Sequence, residues 1–457
     1  MQEEKENIQF QLTDELVEYV QLLVEKQKDK ELQILLDGFH YADIAEILDE
    51  LNLEEAVYVI KLLDSETTSD ILMELDEDNR EKVLKNLSAK EIAEEVEELD
   101  TDDAADIIAE LPEARQQAVI AQIEDEEHKA EITELLAYDE DTAGGLMAKE
   151  LVKVYETWTV AGCMRRIRGQ AKEVTRVHSI YVVNKQEKLI GRLSLKDLIV
   201  AKSDQKIADL VKVNVDYVNV LDDVEEVAKV MAKYDLEAIP VVDENQILLG
   251  RITIDDIVDV LKEEADKDYQ LAAGITGDVE ADDSILELTR ARLPWLFLGL
   301  IGGVGAFLIM EGFKGLFTGK TVILFFFTPL IAAMAGNVGV QSSAIIVQGL
   351  ANDDVRGSVN SRLIKEMLLA ALNGIILAIF LFLFVWAFKG ELNTALAISV
   401  SLVAVIIVAG LIGTFVPLFL NKRGIDPAIA TGPFITTSND IFGILIYFWI
   451  AKMIMGI

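Results

Sequence analysis

Asp440 is the only charged residue in the apolar segment from Pro427 to Ala451. A carboxylate buried in hydrocarbon costs on the order of ~3 kcal/mol or more to insert, so it needs water, a partner or a cation. A lysine or arginine partner is a weak explanation, because none lies inside any long apolar stretch of the chain. That leaves a water-filled cavity or a cation. A second polar string, Gly336-Asn337-Val338-Gly339-Val340-Gln341-Ser342, interrupts another apolar segment and adds amide oxygens from Asn337 and Gln341. Gly336, Gly339 and Gly443 either expose backbone carbonyls to an ion or allow close helix packing, and the sequence leaves both open. Together these residues suit a hard cation that keeps most of its water and accepts few direct ligands.

Membrane helices must position them. Five apolar stretches, Leu293 to Met310, Thr321 to Val347, Met367 to Phe388, Thr394 to Leu420 and Pro427 to Ala451, reach the ~18–20 residues that cross a bilayer. Arg290 and Arg292, then Arg356, Arg362 and Lys365, then Lys422 and Arg423 fall on one side if residues 1–290 are cytoplasmic; the opposite loops hold only Lys314, Lys320 and Lys389. The expectation is a multi-pass plasma-membrane protein with its C-terminus outside. Pro329 reads as a simple kink in the second span. Enzymatic activity is not expected, since His40, His128 and His178 form no recognisable triad or zinc spacing and no Walker loop is present.

The chain carries 79 acidic and 41 basic residues, and 72 and 31 of these precede residue 291, a net of −41 against about +3 for the remainder. Such a field repels nucleic acid and anionic lipid and gathers cations. The N-terminus has no signal-peptide character, and a lone Cys163 excludes an internal disulfide framework and fits a reducing compartment.

Residues 1–140 repeat. Leu51, Leu63, Leu75, Leu87, Leu99, Leu111, Ile123 and Leu135 recur every 12 residues, as do Leu48, Ile60, Leu72, Leu84, Val96, Ile108, Ile120 and Ile132. Helix starters or breakers follow them: Asn52, Asp64, Asp76, Ser88, Asp100 and Pro112. This predicts short helices stacked as an α-solenoid. Beyond Thr142 the texture changes to strand, turn, strand and helix, twice: residues 179–183 and 189–199, then 238–243 and 248–258. Gly-Arg-x-[Ser/Thr]-x-x-Asp occurs in both halves, at Gly191 to Asp197 and Gly250 to Asp256. The pattern resembles a tandem pair of CBS domains, which commonly bind nucleotides or metals. Ser194 with Asp197 and Thr253 with Asp256 also have capping-box spacing.

The whole order, with Thr142-Ala143-Gly144-Gly145-Leu146-Met147 at the junction, Pro329 and the Gly336 to Ser342 string, Asp426-Pro427-Ala428, and Ser438-Asn439-Asp440 with Gly443, resembles the MgtE family of magnesium channels or transporters. The implied architecture is a multidomain membrane protein: an acidic helical-repeat domain over 1–140, CBS domains over 141–203 and 204–265, a connecting helix over 266–290, and an all-α transmembrane domain of five helices over 291–457. The resemblance implies a homodimer in membrane lipid whose second and fifth spans line a pore. It implies Mg2+ flowing down its electrochemical gradient, with Asp440, Asn337, Gln341 and Gly443 at the ion. It also implies gating by intracellular Mg2+ at Asp102 and Asp106 of the solenoid, at Asp223, Glu225, Asp235, Asp256 and Asp259 of the CBS pair, and at Glu264 and Asp268 of the connecting helix. Lys267 stands where an acid was expected. Mg2+ is thus both cargo and regulator, ATP at the CBS pair is a further expectation, divalent cations are partners, and nucleic acid is not. The competing reading is a membrane-anchored CBS sensor of nucleotide or metal that transports nothing.

Overall fold

The computed structural model describes residues 11–171, 174, 176–277, 279–280, 283–352, 355, 357–430 and 432–456. Arg356, counted above among the inward-facing basic residues, lies outside them. The chain divides into two compact units, residues 1–261 and 262–457.

The first unit opens, among the described residues, with ten helices: α1 (Asp14–Glu25), α2 (Asp29–Leu36), α3 (Tyr41–Asp49), α4 (Leu53–Ile60), α5 (Ser65–Glu74), α6 (Glu77–Asn86), α7 (Ala89–Val96), α8 (Thr101–Ala109), α9 (Glu113–Ile120) and α10 (Glu126–Leu135). The 12-residue repeat explains them. Ile60, Leu72, Leu84, Val96, Ile108 and Ile132 are almost wholly buried, a continuous stripe that short helices acquire only by stacking. Asn52 and Ser88 close capping boxes with Glu55 and Glu91, so each helix starts where the repeat demands. Asp100 breaks this rule: it occupies the N-cap of α8 and makes no capping bond.

Two sheets of identical topology follow. β1 (Val152–Tyr155) pairs parallel with β2 (Ile180–Val183), which pairs antiparallel with β3 (Leu189–Leu193). β4 (Val218–Asn219), β5 (Ala238–Val242) and β6 (Leu248–Thr253) repeat the order. Helices α11 (Val160–Gln170) and α13 (Val224–Tyr234) make the parallel crossovers; α12 (Leu195–Val200) and α14 (Ile254–Ala273) follow the third strands. β2 and β5 are buried along their length, as central strands must be. The Thr142 to Met147 junction runs along the second sheet, with Ala143 N–H donating to Asp222 (2.7 Å) and Ala148 N–H to Arg251 (2.8 Å). Gly250 permits this approach, since a Cβ there would stand 2.6 Å from the Ala148 carbonyl oxygen.

The second unit does not contain one connecting helix over 266–290. Helix α14 already begins at Ile254 and ends at Ala273; Gly274 then takes a left-handed turn (φ +79°), and the next helix starts at Ile285, capped by Ser284 and Glu287. A glycine at positive φ ends the first helix, and a fresh capping box begins the second. Among the described residues, five helices are long and apolar enough to cross a membrane. They are α15 (Ile285–Phe313), α17 (Thr328–Ala351, after the short α16, Ile323–Phe326), α18 (Val359–Lys389), α19 (Leu392–Asn421) and α20 (Gly432–Met455). Pro329 is not a mid-span kink. It stands in the first turn of α17, where its missing N–H costs nothing. Helix α18 begins eight residues before the apolar stretch that marked it, which brings Glu366 inside the helix. Helix α19 is the centre of this unit and packs on α17, α18 and α20, while α15 packs on α20 and otherwise presents Leu296, Phe297, Leu300 and Phe307 outward.

Candidate cation sites

Helices α17 and α20 build the membrane site. Asn337, Val340 and Gln341 lie one turn apart on α17, and Thr436 and Asp440 one turn apart on α20, so each helix offers one polar stripe to the other. These residues, with Ala332, Ala333 and Gly336, line a cleft of about 400 Å³. It has room for an ion with water around it and contains a single carboxylate, Asp440. One charge among neutral oxygens is a donor set that suits a hydrated hard cation.

The glycines are placed for packing. A Cβ on Gly339 would overlap the Asn439 side-chain nitrogen and come 2.7 Å from Ile435 Cγ2, while a Cβ on Gly413 would strike the Gly339 carbonyl. Gly443 is buried between Ala335 and Val405, a turn from the cleft, and is not one of its lining residues. The packing alternative therefore accounts for Gly339 and Gly443. Asn439 is 1 % exposed and donates through Nδ2 to the Ala335 carbonyl (3.2 Å), while its Oδ1 has no partner among the described residues. This bond locks α20 to α17 beside Asp440. Sequence reasoning assigned Asn439 no role; its position next to a lone intramembrane acid was the available signal. A second membrane carboxylate, Glu366, accepts from Ser342 Oγ (2.6 Å) and fits against Gly410.

The candidates outside the five long apolar helices fall into two groups. Helix α8 brings Asp102, Asp103 and Asp106 to face Asp256 at the start of α14. Burial pushes the Asp102 carboxyl well above the carboxylate range, and the charges of Asp103, Asp256 and Asp100 add to it. Burial and then Asp256 raise Asp103. Asp106 is raised by the same two causes in the same order, although its open side to water damps the effect. Burial also raises Asp256, against the opposing bonds that its Oδ2 accepts from Thr253 N–H (3.0 Å) and Oγ1 (2.7 Å). Asp256 thus caps a helix and faces the acid cluster at once. Such crowding needs protons or a divalent cation, and an all-oxygen donor set fits a hard one.

Arg251, from the Gly-Arg string, is 5 % exposed and pairs with Asp100 at 3.3 Å. Asp100 is therefore diverted from capping α8. Glu150, outside that helix, caps it instead, its carboxylate accepting from Thr101 N–H (3.2 Å) and Oγ1 (2.8 Å). Even so, burial and Glu150 raise the Asp100 carboxyl to about 6. Arg251 and Glu150 were missed because their partners stand 151 and 49 residues away in sequence.

Of the remaining expected ligands, Asp223, Glu225 and Glu264 have local partners. Asp223 caps α13 by accepting from Glu225 N–H (2.9 Å), Glu225 faces Lys229 (3.4 Å), and Asp235 takes a left-handed conformation (φ +53°) at the end of α13. Asp259 is exposed on α14, one turn beyond Asp256. Glu264 pairs with Lys267 (3.1 Å), and Asp268 follows on the same helix.

Known proteins match along this whole plan. The family model described as a divalent cation transporter, MgtE, matches residues 328–450; that of the MgtE intracellular N domain matches 39–141; CBS domains match 143–204 and 207–263. A curated magnesium transporter MgtE of Enterococcus faecalis is 38 % identical over 323 residues, covering 70 % of this chain and 71 % of that protein. The chain belongs to the MgtE family. The Thermus thermophilus magnesium transporter MgtE is 36 % identical over 324 residues, 70 % of this chain and 72 % of the relative. Among solved structures, the cytosolic domain of the Mg2+ channel MgtE in complex with ATP aligns at 35 % identity and TM-score 0.51, covering 53 % of this chain and 99 % of that one. The soluble part of a magnesium transporter aligns at 30 % identity and TM-score 0.50, covering 55 % and 99 %. The MgtE model thus spans α17 to α20, the part of the chain that contains Asp440 and its cleft.

Proposed function

We propose that this MgtE protein moves Mg2+ across the membrane down its electrochemical gradient, along the cleft where Asp440 faces Asn337 and Gln341, under control of its acidic cytoplasmic unit. One observation carries the reading. The lone carboxylate of the fifth span, and the amides of the second, line one cleft of about 400 Å³ inside the region matched by the divalent cation transporter family. Asp440 supplies attraction, while Asn337, Gln341 and Thr436 offer hydrogen-bonding oxygens to the ion's water shell, which Mg2+ surrenders slowly. The sensor without transport is set aside, since a mere anchor needs no such cleft.

One Asp440 neutralises only half of a dication, so the working unit is a homodimer that brings two such carboxylates to one axis. The outward apolar face of α15 then meets lipid or the second copy. Residues 1–290 face the cytoplasm and the C-terminus lies outside, as the distribution of basic residues requires.

Regulation follows from the crowded carboxylates. Asp102, Asp103, Asp106 and Asp256 repel one another when ionised, and Mg2+ bound among them would supply the missing positive charge. Asp256 and Asp259 begin the helix that continues to Glu264 and Asp268, so ligation at its start changes the forces on the segment leading into the membrane unit. Ligand binding shifts this equilibrium only by its differential affinity for the two states, which several weak sites supply together. ATP would be held at the CBS pair, where the buried hydroxyl of Tyr181 has no partner among the described residues and lies near Arg192. The test is Mg2+ uptake into liposomes by the full chain. Loss of uptake in Asp440→Ala in a protein that still folds supports the reading; undiminished selective uptake refutes it.

A further inference from the structure

Outside the acidic sensor, the described residues assemble one mixed nitrogen and oxygen cluster. His128 and Glu131 stand one turn apart on α10, and Glu150 arrives from the segment before β1; one ligand atom from each lies within 4.8 Å of the others. The orientation of the imidazole matters most. Its Nε2 is 3.1 Å from the Val96 carbonyl oxygen, which only a protonated nitrogen can approach as a donor. In the neutral ring this leaves Nδ1 with a lone pair, and Nδ1 lies 4.0 Å from Glu150 Oε1. A backbone carbonyl fixing one ring nitrogen while the other is turned toward carboxylates is the arrangement found behind metal-ligating histidines.

We propose that His128 Nδ1, Glu131 and Glu150 bind a first-row transition-metal dication of the Co2+ and Zn2+ class, distinct from the Mg2+ read by Asp102 and Asp256. Imidazole suits such ions, whereas Mg2+ prefers oxygen and near-octahedral water. Ligand atoms of one tetrahedral metal sit about 3.4 Å apart at bond lengths near 2.1 Å, so the three groups, now within 4.8 Å of one another, draw together when the metal binds. Burial and the Glu150 charge raise the Glu131 carboxyl, a strain that a dication removes.

Glu150 makes the site consequential. Its carboxylate already caps α8, the helix that carries Asp102, Asp103 and Asp106, and it also adjoins Asp100 and Asp102. Metal bound at His128 would share Glu150 with the sensor, drawing its charge away from Asp100 and holding the start of α8 in place. This consequence rests on reading the acid cluster as the Mg2+ sensor; the binding does not.

The probe is Co2+ alone, added to the full chain in detergent with Mg2+ in large excess. Visible d–d absorption and the cobalt retained after dialysis are measured. A single nitrogen-coordinated Co2+ per chain is expected, lost in His128→Gln and at least about tenfold weaker in Glu131→Gln, the isosteric change that decides the matter if the first variant folds poorly. Co2+ should also lower the Mg2+ concentration that protects the parent from proteolysis, and not do so in Glu131→Gln. Failure of the parent to retain cobalt, or equal retention by both variants, overturns the site. Retained cobalt with no effect on protection leaves the site standing and overturns its link to the sensor.

Discussion

Gly339→Ala places one methyl group where three helices meet. The added Cβ would overlap Asn439 Nδ2 and lie 2.7 Å from Ile435 Cγ2, while the Gly339 carbonyl is itself pressed by Gly413 of α19. The chain cannot retreat, so the Asn439 amide must leave. Overpacking of this kind costs about 1–3 kcal/mol. The displaced amide also gives up its bond to the Ala335 carbonyl, which leaves the buried Asn439 amide nitrogen unmet at about 1–3 kcal/mol. The sum is on the order of 2–6 kcal/mol, concentrated beside Asp440. Gly336→Ala is the control: its Cβ meets only Thr436 Cγ2, at 3.3 Å, and a rotamer change relieves the contact. Thermal unfolding in detergent should therefore show Gly339→Ala well below the parent and Gly336→Ala near it. Mg2+ flux should fall in Gly339→Ala as well; because Gly336 lines the cleft, Gly336→Ala is a control for stability alone. If Gly339→Ala unfolded and transported like the parent, the glycine would not be a packing device, and the account of how α17 positions α20 would be wrong.

The pairing of Arg251 with Asp100 should be worth more than a surface ion pair, because breaking it strands a half-buried carboxylate; Arg251→Met should destabilise the first unit, and Arg251→Met with Asp100→Asn should recover part of the loss in chemical denaturation. Asp100 has a folded-state value raised to about 6, above the usual carboxylate range, so the folded state binds more protons than the unfolded one between about 4 and 6. Stability in Mg2+-free buffer should thus fall as pH rises through that window, with Asp102 and Asp103 extending the fall upward, and millimolar Mg2+ should flatten it; a pH-independent midpoint without Mg2+ would contradict the crowding. Combined neutralisation of Asp256, Asp259 and Glu264 should leave flux high when internal Mg2+ is replete. Shut-off at the parental Mg2+ concentration would make those acids a solvated surface.

The repeat in the first 140 residues was legible because helix stacking imposes a fixed period, and the buried Leu72, Leu84 and Ile108 sit where that period puts them. The β2–β3 and β5–β6 hairpins were legible for the same reason, since their β-branched runs and Gly-Arg turns are local. Their parallel partners β1 and β4 were not, being two to four residues long and joined only through a crossover. The break at Gly274 was hidden by the charged pattern on both sides of it. In the membrane, apolar length located the five helices but not the start of α18, whose first two turns are polar. Asp440 announced itself by charge alone. The cleft it shares with Asn337 and Gln341 depends on which faces α17 and α20 present, and small residues such as Gly339 settle that only in three dimensions. Among the acids of the first unit, composition could not separate Asp102, crowded against Asp256, from Asp223, which caps its own helix. Burial and neighbours decide that difference.

The most direct test of the central claim is Mg2+ flux through Asp440→Asn in liposomes, because the substitution keeps the shape of the side chain and removes its charge. The account predicts a folded protein whose Mg2+ flux or divalent selectivity is lost nearly as completely as in Asp440→Ala. Asp440→Asn protein conducting Mg2+ at the parental rate, with the parental preference over monovalent ions, would show that the cation is not held by this carboxylate.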